Sequence, residues 1–233
     1  MSINRNSTAT LIRLLQLSDS ALPVGTFSFS NTLESAVEWG VVNDEVSLGQ
    51  YCMEVVRSAA FTDAVAALHA HQAYHDQDYS HIVEADKALL RTKLNDEARQ
   101  MTQRMGRKLA ELGAALTDDP TLRRWLSDIH KGEVAATYAT TQGLMTALCG
   151  ITREELFCSI CYGAASIILG AALRCMRTSH IATQRILWNM APRIEPLYIE
   201  ASVCRLDQMN AFMPECDIMA SLHEKGDKRL FMN

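Results

Sequence analysis

The sequence predicts an all-α chain, and three observations carry that prediction. Apolar residues recur at spacings of three and four through most of the 233 positions, the period of a helix with one buried face. Only 5 prolines and 11 glycines interrupt the chain, which leaves room for long helices. No stretch alternates apolar and polar residues long enough to build a sheet. The architecture expected is a single compact domain over 1–233, a bundle of about ten helices.

Each element has its own signal. Leu11, Leu14, Leu15 and Leu17 give a first apolar face. Pro23 and Gly25 mark a turn, and Asn31 or Thr32 can cap a short helix that stops at Gly40. Asp44 can cap a third helix carrying Tyr51, Met53, Val55 and Val56. The stretch 61–74, FTDAVAALHAHQAY, reads as another, ending in the polar loop that begins at His75. Asn95 opens a strong amphipathic helix with Met101, Met105, Leu109, Leu112 and Leu116 on one side. Pro120 stands where a first helical turn accepts proline. Thr152, with Glu155 three residues on, forms a capping box. Helix continues from His180 to Met190, and Pro192 and Pro196 should kink or interrupt the next stretch.

The stretch 156–173, LFCSICYGAASIILGAAL, has no charge across 18 residues. That reaches the length of a membrane span. Its content of Ala, Gly, Ser and Cys favours a buried central helix instead. Acidic residues before it and Arg174 and Arg177 after it suit the dipole of such a helix. Gly163 and Gly170 would let another helix pack closely.

The net charge is −5, from 22 basic and 27 acidic residues, which argues against a nucleic-acid clamp. A basic run over 84–108 has no interleaved aromatics for base stacking and reads as a solvated helical face. The first residues hold no long apolar run, so no signal peptide is expected. Seven cysteines, scattered in apolar stretches, suit free thiols in a reducing cytoplasm better than a disulfide framework.

Candidate chemistry is sparse. There is no phosphate-binding Gly-rich motif and therefore no expected cofactor. The segment 69–81, HAHQAYHDQDYSH, holds four histidines. His71 and His75 are four apart and would share one helix face, a metal-ligand spacing; the plain alternative is a polar helix end. Cys158 and Cys161 form a Cys-x-x-Cys inside the most apolar helix and are expected to be buried packing residues. Ser28 and Ser30 lack a nucleophile-elbow frame, and Glu34 and Glu38 are explained by an exposed helix face. The C-terminal Leu230-Phe231-Met232 would fray unless something covers it. That cover could be this chain or a partner, with Arg229 and Phe231 as anchor types.

The chain resembles the UreF family of urease accessory proteins. The resemblance rests on LLQLSDSALPVGTFSFSNTLESAVEWGVV at 14–42, ARQMTQRMGRKL at 98–109, HKGEVAATYATTQGL at 130–144, GAALRCMRTSHIATQRIL at 170–187 and the tail CDIMASLHEKGDKRLFMN. Thr26 stands where the family commonly has a second glycine. Asn31-Thr32 replaces a more usual Gln/His-Gly, and 175–180 depart from the usual run.

The resemblance implies a cytoplasmic, non-catalytic, dimer-forming all-α scaffold that binds no nucleic acid, no membrane and no cofactor. It would join a UreD/UreH-type accessory protein to the UreG-type GTPase and act with them on apo-urease, so that nickel reaches its active site, modulating the GTP cycle. Partner-binding residues expected on this basis are Pro23, Gly25, Phe27, Ser28, Phe29, Ser30, Glu34, Arg99, Gly106, Arg174, His223, Glu224, Arg229, Leu230 and Phe231. Residues 1–10 and 221–233 are expected to be mobile without partners. Three rivals stay open: a nickel carrier using the 69–81 histidines through His71 and His75, a small helical enzyme using Glu34 or His130, and a membrane-tethered protein.

Overall fold

The computed structural model describes residues 7–25, 30, 32–210 and 218. These form helices and turns, with no strand among the described residues. The helices are α1 (Thr8–Ser18), α2 (Leu33–Glu38), α3 (Glu45–Phe61), α4 (Asp63–His75), α5 (Tyr79–Thr92), α6 (Asp96–Leu116), α7 (Pro120–Lys131), α8 (Tyr138–Leu148), α9 (Arg153–Cys175), α10 (His180–Met190) and α11 (Ile194–Ala201).

Local chemistry sets most starts. The Asp44 carboxylate accepts from the Ser47 amide at 2.7 Å, and the Ser47 hydroxyl accepts from the Asp44 amide, closing a box at the head of α3. Asn95 Oδ1 accepts from the Ala98 amide at 2.7 Å, and Asp119 Oδ1 from the Leu122 amide at 2.9 Å with Pro120 first in the helix. Thr152 and Glu155 form the second box as expected. Helix α5, capped by Asp78, occupies a stretch to which the sequence pattern assigns no element. Helix α3 also runs further than expected, to Phe61. Thr62 then breaks the chain, its hydroxyl turning back to the Ser58 carbonyl at 2.8 Å. Pro192 falls in a 3-10 turn, Ala191–Arg193, and Pro196 in the first turn of α11, where a missing amide is tolerated.

Two apolar clusters make the core. One gathers α2, α3, α9 and α11 around Leu48, Val56, Phe157, Ile168 and Leu197. The other gathers Leu17, Leu22 and Val24 with α6, α7 and α8 around Leu109, Trp125 and Leu144. Helices α4 and α8 contribute to both and form the seam between them. On that seam α4 is Ala-rich and α8 carries Ala, Gly and Thr, so their backbones approach closely. A Cβ on Gly143 would stand 2.5 Å from the Ala67 carbonyl oxygen. The buried α8 hydroxyls are satisfied locally: Thr146 donates to the Gln142 carbonyl at 2.8 Å, and Thr141 accepts from Trp125 Nε1 at 3.1 Å.

A fully buried carboxylate organises the entry to α8. Asp86 accepts from the amides of Ala135, Ala136 and Thr137 and from the Thr137 hydroxyl, at 2.6–3.0 Å. Burial pushes its carboxyl above the usual range, and those four donors pull it back. They hold Ala136 at φ 61°, so that its carbonyl faces Gly106 of α6.

Candidate partner-binding surface

Helix α9 has two faces with different fates. Leu156, Phe157, Ile160, Ala165, Ile168 and Leu169 are buried against the first cluster. Along the other face, the Cβ position of Gly163 and of Gly170 meets nothing within 4 Å. No helix of the described chain packs there. That face lines a groove of about 570 Å³, walled opposite by Val24, Met101, Met105 and Leu187. Tyr162 lies on the groove and is 46% exposed. Among the described residues α9 is the one helix long and apolar enough to cross a membrane, yet 56% of its most apolar window is buried. It is therefore a core helix with one open side.

The N-terminal signature reaches the same groove through its turn. Asp19 ends α1, its carboxylate accepting from the Ala21 amide at 2.8 Å and its carbonyl from the Leu22 amide at 3.0 Å. Leu22 and Val24 then point into the second cluster, which leaves Pro23 and Gly25 outward. Gly25 has φ 90°, a backbone that a side chain would strain. Thr32 starts α2 at φ 62° without capping it; its hydroxyl bonds to the Tyr51 hydroxyl at 2.6 Å inside the core. The family-typical glycine thus falls at a position whose backbone favours glycine.

The other expected surface residues divide. Arg174 is exposed and lines the groove. Glu34, half-buried on α2, lies near the Cys175 thiol, which is raised first by burial and then by that carboxylate. Arg99 is exposed, but its Nε donates to the Lys93 carbonyl at 2.7 Å and clasps the α5–α6 loop. Ser30 and Gly106 are a correction to the expected surface: both are buried. A Cβ on Gly106 would fall 1.9 Å from the Ala136 carbonyl oxygen, so this glycine serves close packing. Phe27, Ser28 and Phe29, and in the tail His223, Glu224, Arg229, Leu230 and Phe231, lie outside the described residues.

Large apolar side chains are also exposed, among them Leu11 and Leu15 of the expected first apolar face, of which Leu17 is buried. Leu11, Ile12 and Leu15 form a stripe on α1, while Trp188 of α10 is 81% exposed and Ile181 72%. Their helical spacing alone resembled core, because periodicity does not say which apolar face is covered.

The Cys-x-x-Cys is split. Cys161 is buried and its thiol is pushed up to about 12 by burial. Cys158, expected to be buried, is exposed; partial burial of the sulfur and then Glu154 and Glu155 raise its thiol too. Neither is a poised thiolate.

The histidines pair differently from their spacing. His71 is buried and its Nε2 is 2.8 Å from the Ile151 carbonyl, to which it donates; the His75 ring meets it edge-on at 5.0 Å. Burial lowers His71 below the usual histidine range. His69, on the same helix, meets His81 of α5 instead, Nδ1 to Nε2 at 2.9 Å.

Comparison with known proteins decides the family. The UreF family profile matches residues 42–191. The chain belongs to the UreF family of urease accessory proteins. It is 43% identical to urease accessory protein UreF 2 of Brucella canis and of Brucella abortus over 223 residues, covering 96% of this chain and 92% of each relative. It is 40% identical to urease accessory protein UreF of Yersinia enterocolitica, covering 98% of that protein. The family resemblance read from the sequence and the all-α fold class are both upheld.

Proposed function

We propose that this chain is a non-catalytic, cytoplasmic bridging component of urease metallocentre assembly. It joins a UreD/UreH-type accessory protein to a UreG-type GTPase, modulates the GTP cycle, and acts with them on apo-urease so that nickel is inserted. It does so as a homodimer. The observation that carries this reading is the near-complete alignment, at 40–43% identity, with proteins named as urease accessory proteins. The surface supports it: open apolar side chains on α1 and α10, and a groove bordered by the N-terminal turn and Arg174, are features of an interface. Pro23 and Gly25 shape the turn, Glu34 and Arg174 flank its contacts, and the tail residues His223 to Phe231 supply a second contact for the UreD/UreH-type partner.

Co-expression with the UreD/UreH-type protein and the GTPase, followed by sizing with and without residues 221–233, tests the reading. A soluble complex containing all three proteins is expected, with loss of the UreD/UreH-type protein on truncation or in Arg229→Ala or Phe231→Ala. Elution of this chain alone, with both partners present, would overturn it.

A further inference from the structure

His69 and His81 come from different helices, and their outer nitrogens are both already held. His69 Nε2 lies 2.9 Å from the Cys204 carbonyl oxygen. A carbonyl only accepts, so this nitrogen carries a hydrogen. His81 Nδ1 lies 2.9 Å from a Glu84 carboxylate oxygen, which likewise accepts. The two inner nitrogens, His69 Nδ1 and His81 Nε2, therefore face one another across 2.9 Å with a single hydrogen between them. Loss of that hydrogen leaves two lone pairs converging on one point that a small cation fills.

This is the outer arrangement of metal-binding histidines. A ligating imidazole donates its second N–H to a carboxylate or a backbone carbonyl, which fixes its tautomer and its ring plane. Here one ring has the carbonyl and the other has the carboxylate. We propose that His69 Nδ1 and His81 Nε2 form a binding site for a divalent first-row transition cation, with Glu84 and the Cys204 carbonyl as its outer supports. Imidazole nitrogen suits nickel, copper and zinc rather than magnesium or calcium.

The geometry needs a small adjustment. Two metal–nitrogen bonds of about 2.0–2.1 Å at a tetrahedral angle hold the nitrogens about 3.3 Å apart. The rings must therefore part by a few tenths of an ångström, and the shared hydrogen leaves to solvent as a proton. Entry is open, since the His81 side chain is 33% exposed and that of Glu84 68%. No third His, Cys, Asp or Glu completes a cluster among the described residues, so the remaining positions fall to water. The site lies apart from His71, whose Nε2 is engaged by Ile151, and from the groove beside α9.

Titration calorimetry of the full-length chain with NiCl₂ and separately with ZnCl₂, at fixed pH, tests the proposal. His81→Ala and His69→Ala should each remove one equivalent of bound metal, and Glu84→Gln should weaken that equivalent by about 10–100-fold. His75→Ala should leave it unchanged. His81 is partly exposed, so its variant tests the site even if His69→Ala fails to fold; circular dichroism melting separates the two. Identical isotherms for wild type and His81→Ala, no binding by the wild type, or loss of the equivalent on His75→Ala would overturn it.

Discussion

Two pairs of glycines show opposite uses of the same residue. Gly106 and Gly143 lie where α6 and α8 meet their neighbours, and an added Cβ at either would collide with a backbone carbonyl. Gly163 and Gly170 lie on α9, and an added Cβ there meets open space. The first pair lets helices approach; the second leaves a groove unfilled. Glycine in a helix is destabilising in both places, but only the first pair has packing within the described chain that offsets it.

The contrast can be broken by substitution. Gly106→Ala should have the largest effect, about 3 kcal/mol or more of lost stability, because the rigid Ala135–Thr137 backbone held by Asp86 must move. Denaturant unfolding measures it; an unchanged midpoint would mean that α6 shifts freely. Gly143→Ala should cost about 1–3 kcal/mol by pushing α8 from Ala67 of α4.

On the groove side, Gly163→Leu should leave the thermal midpoint nearly unchanged yet weaken capture of the accessory partners by about tenfold, a loss of roughly 1.4 kcal/mol. Full retention of partners would remove this face from the interface. The smallest effect is a gain: Gly170→Ala should add about 0.5–1 kcal/mol, the propensity difference in an open helix interior.

Acid should also separate the seam from the groove. His71, on the seam helix α4, is held neutral by burial, so its folded pKa lies below the ordinary value of about 6.5. The unfolded chain then binds more protons, and stability falls as pH drops from neutrality through that value towards the folded one. Melting temperatures between pH 7.5 and 5.5 should show this slope, and His71→Gln should flatten it.

Much of the helical order was legible because it is written in short-range chemistry. Asp44, Asn95 and Thr152 each accept from an amide within one turn, Pro120 stands first in its helix, and the structure uses all four as expected. The turn at Pro23 and Gly25 was readable for the same reason. Helix α5 was harder, since its start depends on Asp78 in a polar loop that looked like an ending. The separate helix over 61–74 was readable, but the run of α3 up to Phe61 and the sharp break at Thr62, whose hydroxyl turns to Ser58, were not.

The sequence by itself determined the all-α class, the main caps, the family and the apolar character of α9. Only the tertiary structure decided which apolar faces are covered, why Gly106 is a packing residue rather than a surface one, and which histidines meet. Spacing along one helix joined His71 to His75, whereas the packing of α4 against α5 joins His69 to His81. Periodicity reports what lies within a turn or two of one helix. The position of a second helix is set by the burial of surfaces far apart in the chain.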